Sequence, residues 1–406
     1  MMFKQQNDSK SELYLHRVKK LWLLLSLIPL WGTGQLQLSP QAQIRVVTCG
    51  PYQGELYSAF GHSAIRVMDP QYGLDLIYNY GVFDYDQPNF YLNFAKGYLH
   101  YQLDVGDYSR FRYFYIQEDR FMHEQILSLT LEEKQRLFDF LQWNAREENK
   151  YYFYDYFYDN CATRIRDALV EVFGDRIRFD GSYIETDYSI RDLCDLYLQH
   201  QPWGDLGIDL CLGLPMDKRA TPYEYMFLPD YLESGLAHAY IQRDGREEPL
   251  VKQMLITHQT KEQPKNSTLF SPLFYSSLLL LLGLWITYRA HKRNTRPRVF
   301  DAILFTLVGL LGWILFVLWV ATDHQAAAQN FNLLWVFPLY FPIALLLLQK
   351  STPGFLGAFF MFTTFLHGLT ILAWPWWPQD LHEAWLPLVV LLMIRSYFTL
   401  RRLRSA

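Results

Sequence analysis

Cys161 lies at the predicted start of a helix, a position that could make its thiol a nucleophile. It follows Asp159 and Asn160, two residue types that cap helices. The apolar residues after it repeat at the spacing of a buried helical face: Ile165, Ala168, Leu169, Val172 and Phe173. The pattern predicts a helix that begins beside Cys161. Backbone N–H groups and the helix dipole at such a position favour a thiolate and would stabilise an oxyanion on a substrate carbonyl.

His62 lies on a predicted β-hairpin and is the candidate base. From His62 onward the side chains alternate between two faces, which predicts a strand, and a turn containing Pro70 leads into a second strand over residues 74–80. If the residues beside the turn pair, the numbers of paired residues sum to about 143, and Asn79 becomes a same-face neighbour of His62. A slip of one residue would place Tyr80 there instead.

These residues together predict a Cys–His pair, with Cys161 as nucleophile, His62 as base and Asn79 orienting the imidazole. The alternative is that Cys161 is a small buried side chain and His62 a structural strand residue. The other cysteines lack the Cys or His spacing of a metal site, and the glycines form no phosphate-binding pattern. We therefore expect no metal and no cofactor.

Several longer motifs occur in a fixed order along the chain. They are Phe60-Gly-His-Ser-Ala-Ile-Arg, Tyr78-Asn-Tyr-Gly-Val-Phe, Pro88-Asn-Phe-Tyr, Asp159-Asn-Cys-Ala-Thr-Arg-Ile-Arg-Asp and Thr221-Pro-Tyr-Glu-Tyr-Met-Phe-Leu-Pro-Asp230. This set resembles the periplasmic domain of the Lnb family, the lipoprotein N-acyltransferases of Bacteroidota. The resemblance covers nearly the whole chain, including Thr322-Asp-His and Asn332-Leu-Leu-Trp.

The resemblance implies both a fold and a reaction. The fold is an α+β papain-like domain, circularly permuted as in NlpC/P60-like proteins, followed by an all-α membrane domain of about five helices. In such folds a strand His precedes a Cys at a helix start, which fits His62 and Cys161, and the third group lies on the next strand, which fits Asn79. The implied reaction moves a fatty acyl group from a phospholipid, through a Cys thioester, to the α-amine of a diacylglyceryl-cysteine lipoprotein.

Other polar residues are candidates for substrate binding. Arg164 would face a phospholipid headgroup near Cys161, although an ion pair is the simpler expectation for it. The remaining candidates lie near the Cys–His pair or in loops of the C-terminal region: Asn160, Ser63, Tyr80, Asp323, His324 and Asn332. For the three in the C-terminal loops, ordinary solvation is the alternative.

The N-terminus has the pattern of an export signal. Lys19 and Lys20 precede an apolar run over residues 21–31, a pattern that predicts a secretory signal within residues 1–42, with an uncleaved anchor as the alternative. Both alternatives place a catalytic domain over residues 43–267 outside the cytoplasm. The chain has only four cysteines, too few for a disulfide scaffold, although Cys194 and Cys211 could pair.

The composition changes near residue 268. The mean hydropathy of −0.06 averages a polar, aromatic first part with a transmembrane helical domain over residues 268–406. Five apolar spans are predicted there, over residues 271–288, 300–321, 333–349, 355–375 and 384–400. Pro338 and Pro342 interrupt the third of these spans.

Basic residues fall in alternate connections between the spans. Five Lys and Arg lie within residues 289–298, none lies in residues 322–330, Lys350 follows, none lies in residues 378–383, and the chain ends in an Arg-rich tail. The positive-inside rule then predicts a bacterial inner-membrane protein with its catalytic domain in the periplasm and its C-terminus in the cytoplasm.

We therefore predict a membrane-bound acyltransferase whose partners are a phospholipid donor, a diacylated lipoprotein acceptor and the membrane itself. The net charge of −4 excludes nucleic-acid binding by bulk charge. The rival functions are a membrane-anchored cysteine hydrolase, either a peptidoglycan amidase or a lipid esterase, and a non-enzymatic membrane scaffold or sensor.

Overall fold

The computed structural model describes residues 36–261, 271–349 and 353–404. The charged and apolar parts of the predicted export signal, the boundary at residues 267 and 268, and Lys350 lie outside these ranges. Within them, an α/β head ends with a strand at His258, and a helical region begins at Pro272. The two-part fold expected from the sequence is confirmed.

Two antiparallel sheets contain the ten strands of the described part of the head. In chain order these are β1 (Gln43–Cys49), β2 (His62–Asp69), β3 (Leu74–Val82), β4 (His100–Asp107), β5 (Met122–Leu127), β6 (Tyr151–Phe153), β7 (Ile177–Phe179), β8 (Ala239–Arg243), β9 (Arg246–Pro249) and β10 (Val251–His258). The large sheet has the order β10–β5–β1–β2–β3–β4–β6, and the small sheet has the order β7–β8–β9. The strand that carries His62 is therefore the central strand of the large sheet, fixed on both sides.

The predicted hairpin is present in the expected register. Asp69 pairs with Leu74 and Ile65 pairs with Tyr78, so the paired numbers sum to 143. The pairing of β3 with β4 shifts after Asn79, where Gly81 has a φ of 88°. This φ lies in the left-handed region that favours glycine, as is common at bulges. The hairpin is therefore regular at its turn and irregular at the end that holds His62.

Helices cover the large sheet. Those described in the head are α1 (Phe90–Lys96), α2 (Tyr108–Gln117), α3 (Leu131–Asn144), α4 (Cys161–Phe173), α5 (Ile190–Leu198), α6 (Pro202–Cys211), α7 (Pro222–Tyr225) and α8 (Pro229–Ala237). Helix α4 packs against β2 and β3, and α2 packs against β3 and β4. All five apolar residues predicted for the inner face of α4 are buried, which confirms its predicted orientation.

The C-terminal region is helical. Its described helices are α9 (Pro272–Lys292), α10 (Arg298–Ala321), α11 (Tyr340–Leu346), α12 (Phe355–Ala373) and α13 (Leu386–Arg404). Within the described residues, four of them, all except α11, are long and apolar enough to cross a membrane. These four match predicted spans one, two, four and five.

The third predicted span differs from a regular transmembrane helix, because only Tyr340–Leu346 is α-helical. Pro338 has no N–H and disfavours helix in the residue before it, so the helix starts only after this proline. Gly309 and Gly312 of α10 let this irregular backbone approach closely, since a β-carbon at Gly312 would lie 1.8 Å from the carbonyl oxygen of Val336. Non-helical backbone at membrane depth is tolerated where it is covered by protein in this way.

The irregular segment nevertheless connects opposite ends of the bundle. At its start, Asn332 Nδ2 donates to the carbonyl oxygen of Leu210 in the head, 3.3 Å away. At its end, the carbonyl oxygen of Gln349 accepts from Arg298 Nη1 at 3.0 Å, at the first residue of α10. Within the described residues, the chain therefore runs between the head end and the far end of the bundle five times, once with little regular helix.

A buried arginine holds the head at its junction with the membrane region. Arg191 of α5 is 1% exposed and pairs with Asp209 and Asp217, while its Nη2 donates to the carbonyl oxygen of Leu212 at 2.9 Å. Asp217 also accepts from the backbone N–H of Asp380, in the connection before α13. Arg191 therefore neutralises two buried carboxylates, one of which joins the head to the loop before α13.

Replacing Arg191 by methionine is expected to destabilise the protein by about 3–5 kcal/mol, because it leaves the Asp209 and Asp217 carboxylates buried without a partner. Thermal unfolding in detergent, followed by circular dichroism, would show a lowered midpoint. Arg178→Met is the control, since Arg178 pairs with Glu247 at a site where both side chains are 50% exposed. Equal midpoints for the two variants would contradict the expectation.

Candidate active site

Cys161 is the first residue of α4 and is only 7% exposed. The preceding residue, Asn160, caps the helix, and its Oδ1 accepts from the backbone N–H groups of Ala162 and Thr163 at 2.8 and 3.0 Å. The Thr163 hydroxyl accepts from the N–H of Asn160 and closes a reciprocal capping box. The cap fixes the start of the helix, and the buried face of α4 holds Cys161 against the sheet.

The structure brings His62 to both Cys161 and Asn79. Its Nε2–H donates to Asn79 Oδ1 at 2.6 Å, and the Cys161 sulfur lies within hydrogen-bonding reach of the same imidazole. Since Nε2 is used by Asn79, Nδ1 is the ring nitrogen left for the sulfur. The three residues thus form a chain of contacts in which an amide orients a base and the base contacts a thiol.

This environment lowers the pKa of Cys161. Burial opposes the charged thiolate most strongly, but the positive charge of His62, its hydrogen bond and the backbone N–H groups of Ser63 and Ala162 together outweigh burial. The three other cysteines show the reverse, because burial raises the pKa of Cys49, Cys194 and Cys211. Cys161 is therefore the cysteine whose surroundings favour a thiolate.

Gly81 leaves space beside the nucleophile. A β-carbon added there would lie 3.7 Å from Cβ of Cys161, 3.4 Å from Cε2 of Tyr154 and 4.0 Å from the hydroxyl oxygen of Tyr152. The Tyr152 hydroxyl is buried and has no hydrogen-bond partner among the described residues. A hydroxyl without a partner among the described residues thus borders the same small space at Gly81 as Cys161 does.

Several residues that surround the pair had no predicted role. The ring of Tyr115 on α2 stacks on the imidazole of His62, with centroids 6.1 Å apart and planes 9° apart, and Phe111 lies 6.4 Å away. Their spacing of four residues marks one face of a helix, but no local pattern shows which strand that face covers. Tyr152 belongs to an aromatic run in which every second residue is a tyrosine, so its special position depends on the tertiary fold.

Two predicted substrate-binding residues near the pair have structural partners. Asn160 Nδ2 donates to the carbonyl oxygens of Tyr156 and Phe227, each at 2.8 Å, so both ends of its amide are used. Arg164 forms a bidentate pair with Asp159, the simpler expectation for this residue. Its guanidinium carbon also lies 4.0 Å from the ring centroid of Tyr152, so Arg164 helps to place that ring.

Tyr80 and Ser63 differ in how close they come to the thiol. The Tyr80 hydroxyl donates to Asn144 Oδ1 at 2.7 Å, towards α3, and Asn79 takes the place beside His62. Ser63 reaches Cys161 through its backbone N–H, while its buried hydroxyl has no partner among the described residues. The geometry therefore favours a supporting role for Tyr80 and a backbone contact for Ser63.

The three candidates in the C-terminal loops lie at the junction with the head. The backbone N–H of Asp323 donates to the carbonyl oxygen of Lys96 at 2.9 Å, and His324 Nε2 lies 3.1 Å from the carbonyl oxygen of Phe94. Asn332 is buried, and its Oδ1 accepts from the indole N–H of Trp335 at 2.9 Å. Asp323 and His324 thus contact α1, whereas Asn332 secures the start of the irregular segment.

All four cysteines lie in the described part of the head and are free thiols. The pairing that the sequence allowed between Cys194 and Cys211 is not present. Cys194 lies in the core around α5, and Cys211 packs at the edge of the membrane core. Among the described residues, no three His, Cys, Asp or Glu side chains converge on a metal-binding position.

The comparisons with known proteins concern both parts of the chain. Residues 30–193 match the family model described as the Lnb N-terminal periplasmic domain, and residues 263–405 match the one described as the Lnb transmembrane domain. The chain matches no curated protein and no solved structure, so the papain-like relationship stays a prediction. The two matches follow one another in the order of the head and the helical region and together cover more than half of the chain. The chain therefore belongs to the Lnb family, as a membrane protein with a periplasmic N-terminal domain.

Proposed function

We propose that this protein is a thiol-dependent lipoprotein N-acyltransferase. The observation that carries the proposal is the contact of Cys161 with His62, itself hydrogen-bonded to Asn79, in a periplasmic domain joined to a membrane domain. The donor is a phospholipid, and the acceptor is the α-amine of a diacylglyceryl-cysteine lipoprotein. Both substrates are confined to the bilayer, so attachment of the catalytic domain to that bilayer raises their local concentration.

In the first step the Cys161 thiolate attacks the carbonyl carbon of a phospholipid ester and forms a C–S bond. The carbonyl electrons move onto the oxygen, and their return breaks the ester C–O bond. The departing alkoxide takes a proton from Nδ1 of His62 and leaves as a lysophospholipid, with a thioester on Cys161. The hydrogen bond from Nε2 to Asn79 keeps Nδ1 directed at the sulfur during this transfer.

The oxyanion of this step needs hydrogen-bond donors. The capping side chain of Asn160 already uses the N–H groups of Ala162 and Thr163, which leaves the N–H of Cys161 as the first-turn donor outside the cap. The unpartnered hydroxyl of Tyr152 is a second donor. We assign the oxyanion to these two groups, the second of which is a side chain that the sequence pattern does not single out.

In the second step the lipoprotein amine attacks the thioester carbonyl. His62 accepts a proton from the amine, an amide bond forms, and the C–S bond breaks to restore the Cys161 thiolate. Since each step uses one substrate and releases one product, the reaction is expected to show ping-pong kinetics.

The burial of the nucleophile favours transfer over hydrolysis. Cys161 is 7% exposed, and Tyr115, Tyr152 and Tyr154 are close enough for its charge to act on their hydroxyls. A site closed by aromatic rings limits the access of water to a thioester, whereas the acceptor amine is held at the membrane. A hydrolase would instead need its thioester open to solvent.

The proposed location is the bacterial inner membrane, with the C-terminus in the cytoplasm. Loops on the head side of the bundle carry Asp323 and Asp380, which contact the periplasmic head. The basic residues gather at the other end, where Arg402 Nη2 lies 3.3 Å from the carbonyl oxygen of Ala290. This separation of charge follows the positive-inside rule.

Trapping of the acyl-enzyme tests the proposal. Full-length protein is mixed with vesicles containing a phospholipid with an isotopically labelled fatty acid, without acceptor, and digested for mass spectrometry. We expect one labelled acyl group on the Cys161 peptide, removed by neutral hydroxylamine and discharged onto the amine of a synthetic diacylglyceryl-cysteine peptide. Tyr152→Phe is expected to slow this acylation, because it removes the oxyanion donor and keeps the ring.

Two results would count against acyl transfer in this experiment. Release of the label as free fatty acid at the same rate with and without acceptor would identify a lipid esterase. No label on Cys161 after prolonged incubation with a folded sample would remove the acyltransferase proposal.

A further inference from the structure

Helix α1 has apolar side chains that are exposed on the surface of the head. None of its residues is buried, and Tyr91, Leu92 and Phe94 are 79%, 53% and 42% exposed. Tyr98, just after the helix, is 45% exposed. We call these four residues the aromatic platform. Clustered exposed apolar side chains of this kind mark a surface that binds a partner or a membrane.

The platform lies beside the end of a membrane span. Asp323 and His324, which contact the backbone of Lys96 and Phe94, follow α10 by only two or three residues. Gly97 allows this approach, since a β-carbon there would lie 3.0 Å from the carbonyl carbon of Asp323. The platform is therefore held near the level at which α10 leaves the bilayer, where Tyr and Phe side chains are favoured.

A continuous series of rings leads from the platform into the head. Phe94 contacts Phe90 at a centroid distance of 6.3 Å, and Phe90 contacts Phe83 at 6.0 Å. Phe83 contacts Tyr101 at 4.9 Å, and Tyr101 contacts Tyr154 at 4.5 Å. Along this series the exposed fraction falls from 42% at Phe94 to 7% at Tyr101. We call the five residues the ring ladder.

The inner end of the ring ladder borders the same space at Gly81 as the nucleophile. Tyr154 Cε2 lies 3.4 Å from the position that a β-carbon on Gly81 would take, and that position is 3.7 Å from Cβ of Cys161. The ladder therefore connects a membrane-level surface with the thiol without a charged side chain among its members. Such a surface suits a hydrocarbon chain better than a polar peptide.

We propose that the aromatic platform enters the lipid interface and that the ring ladder is the binding site for the acyl chain of a membrane phospholipid on its way to Cys161. This inference rests on the proposed function and adds to it the route of the donor. The proposal also accounts for Lys96, which is exposed at the end of α1. Its ammonium group would bind the phosphate of a lipid headgroup.

The test compares two donors that share a headgroup. Dioleoyl phosphatidylcholine is presented in vesicles, and dihexanoyl phosphatidylcholine is presented as a monomer below its micellar concentration. Acylation of Cys161 in the full-length protein is followed by mass spectrometry. In the double variant Tyr91→Asp and Phe94→Asp, the ratio of the long-chain to the short-chain rate is expected to fall by at least about tenfold, because charged side chains oppose entry into the interface.

Tyr72→Asp is the matched control, since Tyr72 is 52% exposed on the turn between β2 and β3, at the opposite end of the hairpin from His62. Its ratio is expected to equal that of the wild type. An unchanged ratio in the double variant would overturn the route, as would an equal loss with both donors. Acylation of the wild type by neither donor would instead remove the proposed function itself.

Photo-crosslinking supplies a readout without substitutions. A phosphatidylcholine with a diazirine near the middle of one acyl chain is incorporated into vesicles with the wild-type protein and irradiated. Labels on platform residues and on Phe83 or Tyr101 are expected. Labels confined to α9, α10, α12 and α13 would overturn the ring ladder as an acyl-chain site.

Discussion

Replacing Cys161 by alanine is expected to lower the rate of lipoprotein N-acylation by at least about 10⁴-fold. The proposed reaction forms its covalent intermediate on this sulfur, so no lesser nucleophile in the site can replace it. Cys49 faces His62 across the strand pair β1–β2, but it is fully buried and burial raises its pKa. The loss is therefore expected to be nearly complete rather than partial.

The measurement uses bacterial cells whose only copy of the protein is the Cys161→Ala variant. Mass spectrometry of lipoprotein N-terminal peptides is expected to show diacylated forms with a free α-amine. Cys211→Ala is the matched control, because Cys211 lies at the end of α6, is partly exposed and makes no contact with His62. Fully N-acylated lipoproteins in the Cys161→Ala cells would contradict the assignment of the nucleophile.

Much of the candidate site could be predicted from the sequence, because its parts are determined locally. The hairpin register follows from a short turn between two alternating strands, and it places Asn79 beside His62 without knowledge of the rest of the sheet. The start of α4 is likewise set by its own cap and apolar face. The hairpin that carries His62 and the helix that carries Cys161 are brought together by packing of α4 on β2. In the sequence, only the order of the motifs indicated this contact.

The rest of the site depends on contacts between distant segments. Tyr115 reaches His62 because α2 folds over the hairpin, and the spacing of its aromatic residues does not identify the strand below. Arg164 has a carboxylate five residues away, so its ion pair was foreseeable, while its placement of the Tyr152 ring was not. Where a side chain has several possible partners, tertiary packing determines which one it contacts, and the periodicity of the sequence does not contain that information.

In the membrane region, too, some features follow from the local sequence and others depend on contacts between distant segments. Hydropathy located the four helices of the described residues that could cross a membrane, since apolar length alone is needed for that. It could not show that the third crossing is mostly irregular, because this depends on Gly309 and Gly312 of another helix meeting the backbone around Val336 and Phe341. Pro338 indicated an interruption, and only the neighbouring helix makes the interruption tolerable in a membrane.

His62→Ala is expected to lower the rate of acyl transfer by about 10³-fold, through the loss of both the proton acceptor and the cation beside the thiolate. Burial already opposes a charged Cys161, and His62 is the largest factor acting against burial. Without the histidine, burial remains and the pKa of Cys161 is expected to rise. Asn79→Ala keeps the cation and loses only its orientation, so its effect is expected to be smaller.

The pH dependence of alkylation measures this pKa directly. Because the wild-type pKa is lowered, iodoacetamide is expected to modify Cys161 selectively near neutral pH, where the three other thiols stay protonated. In His62→Ala the pKa of Cys161 is raised, so the rate of its modification at neutral pH is expected to fall. His238→Ala, at an exposed histidine after α8, is the control and should retain the wild-type profile. An unchanged profile in His62→Ala would show that the histidine does not stabilise the thiolate, and the general-base role would then have to be abandoned.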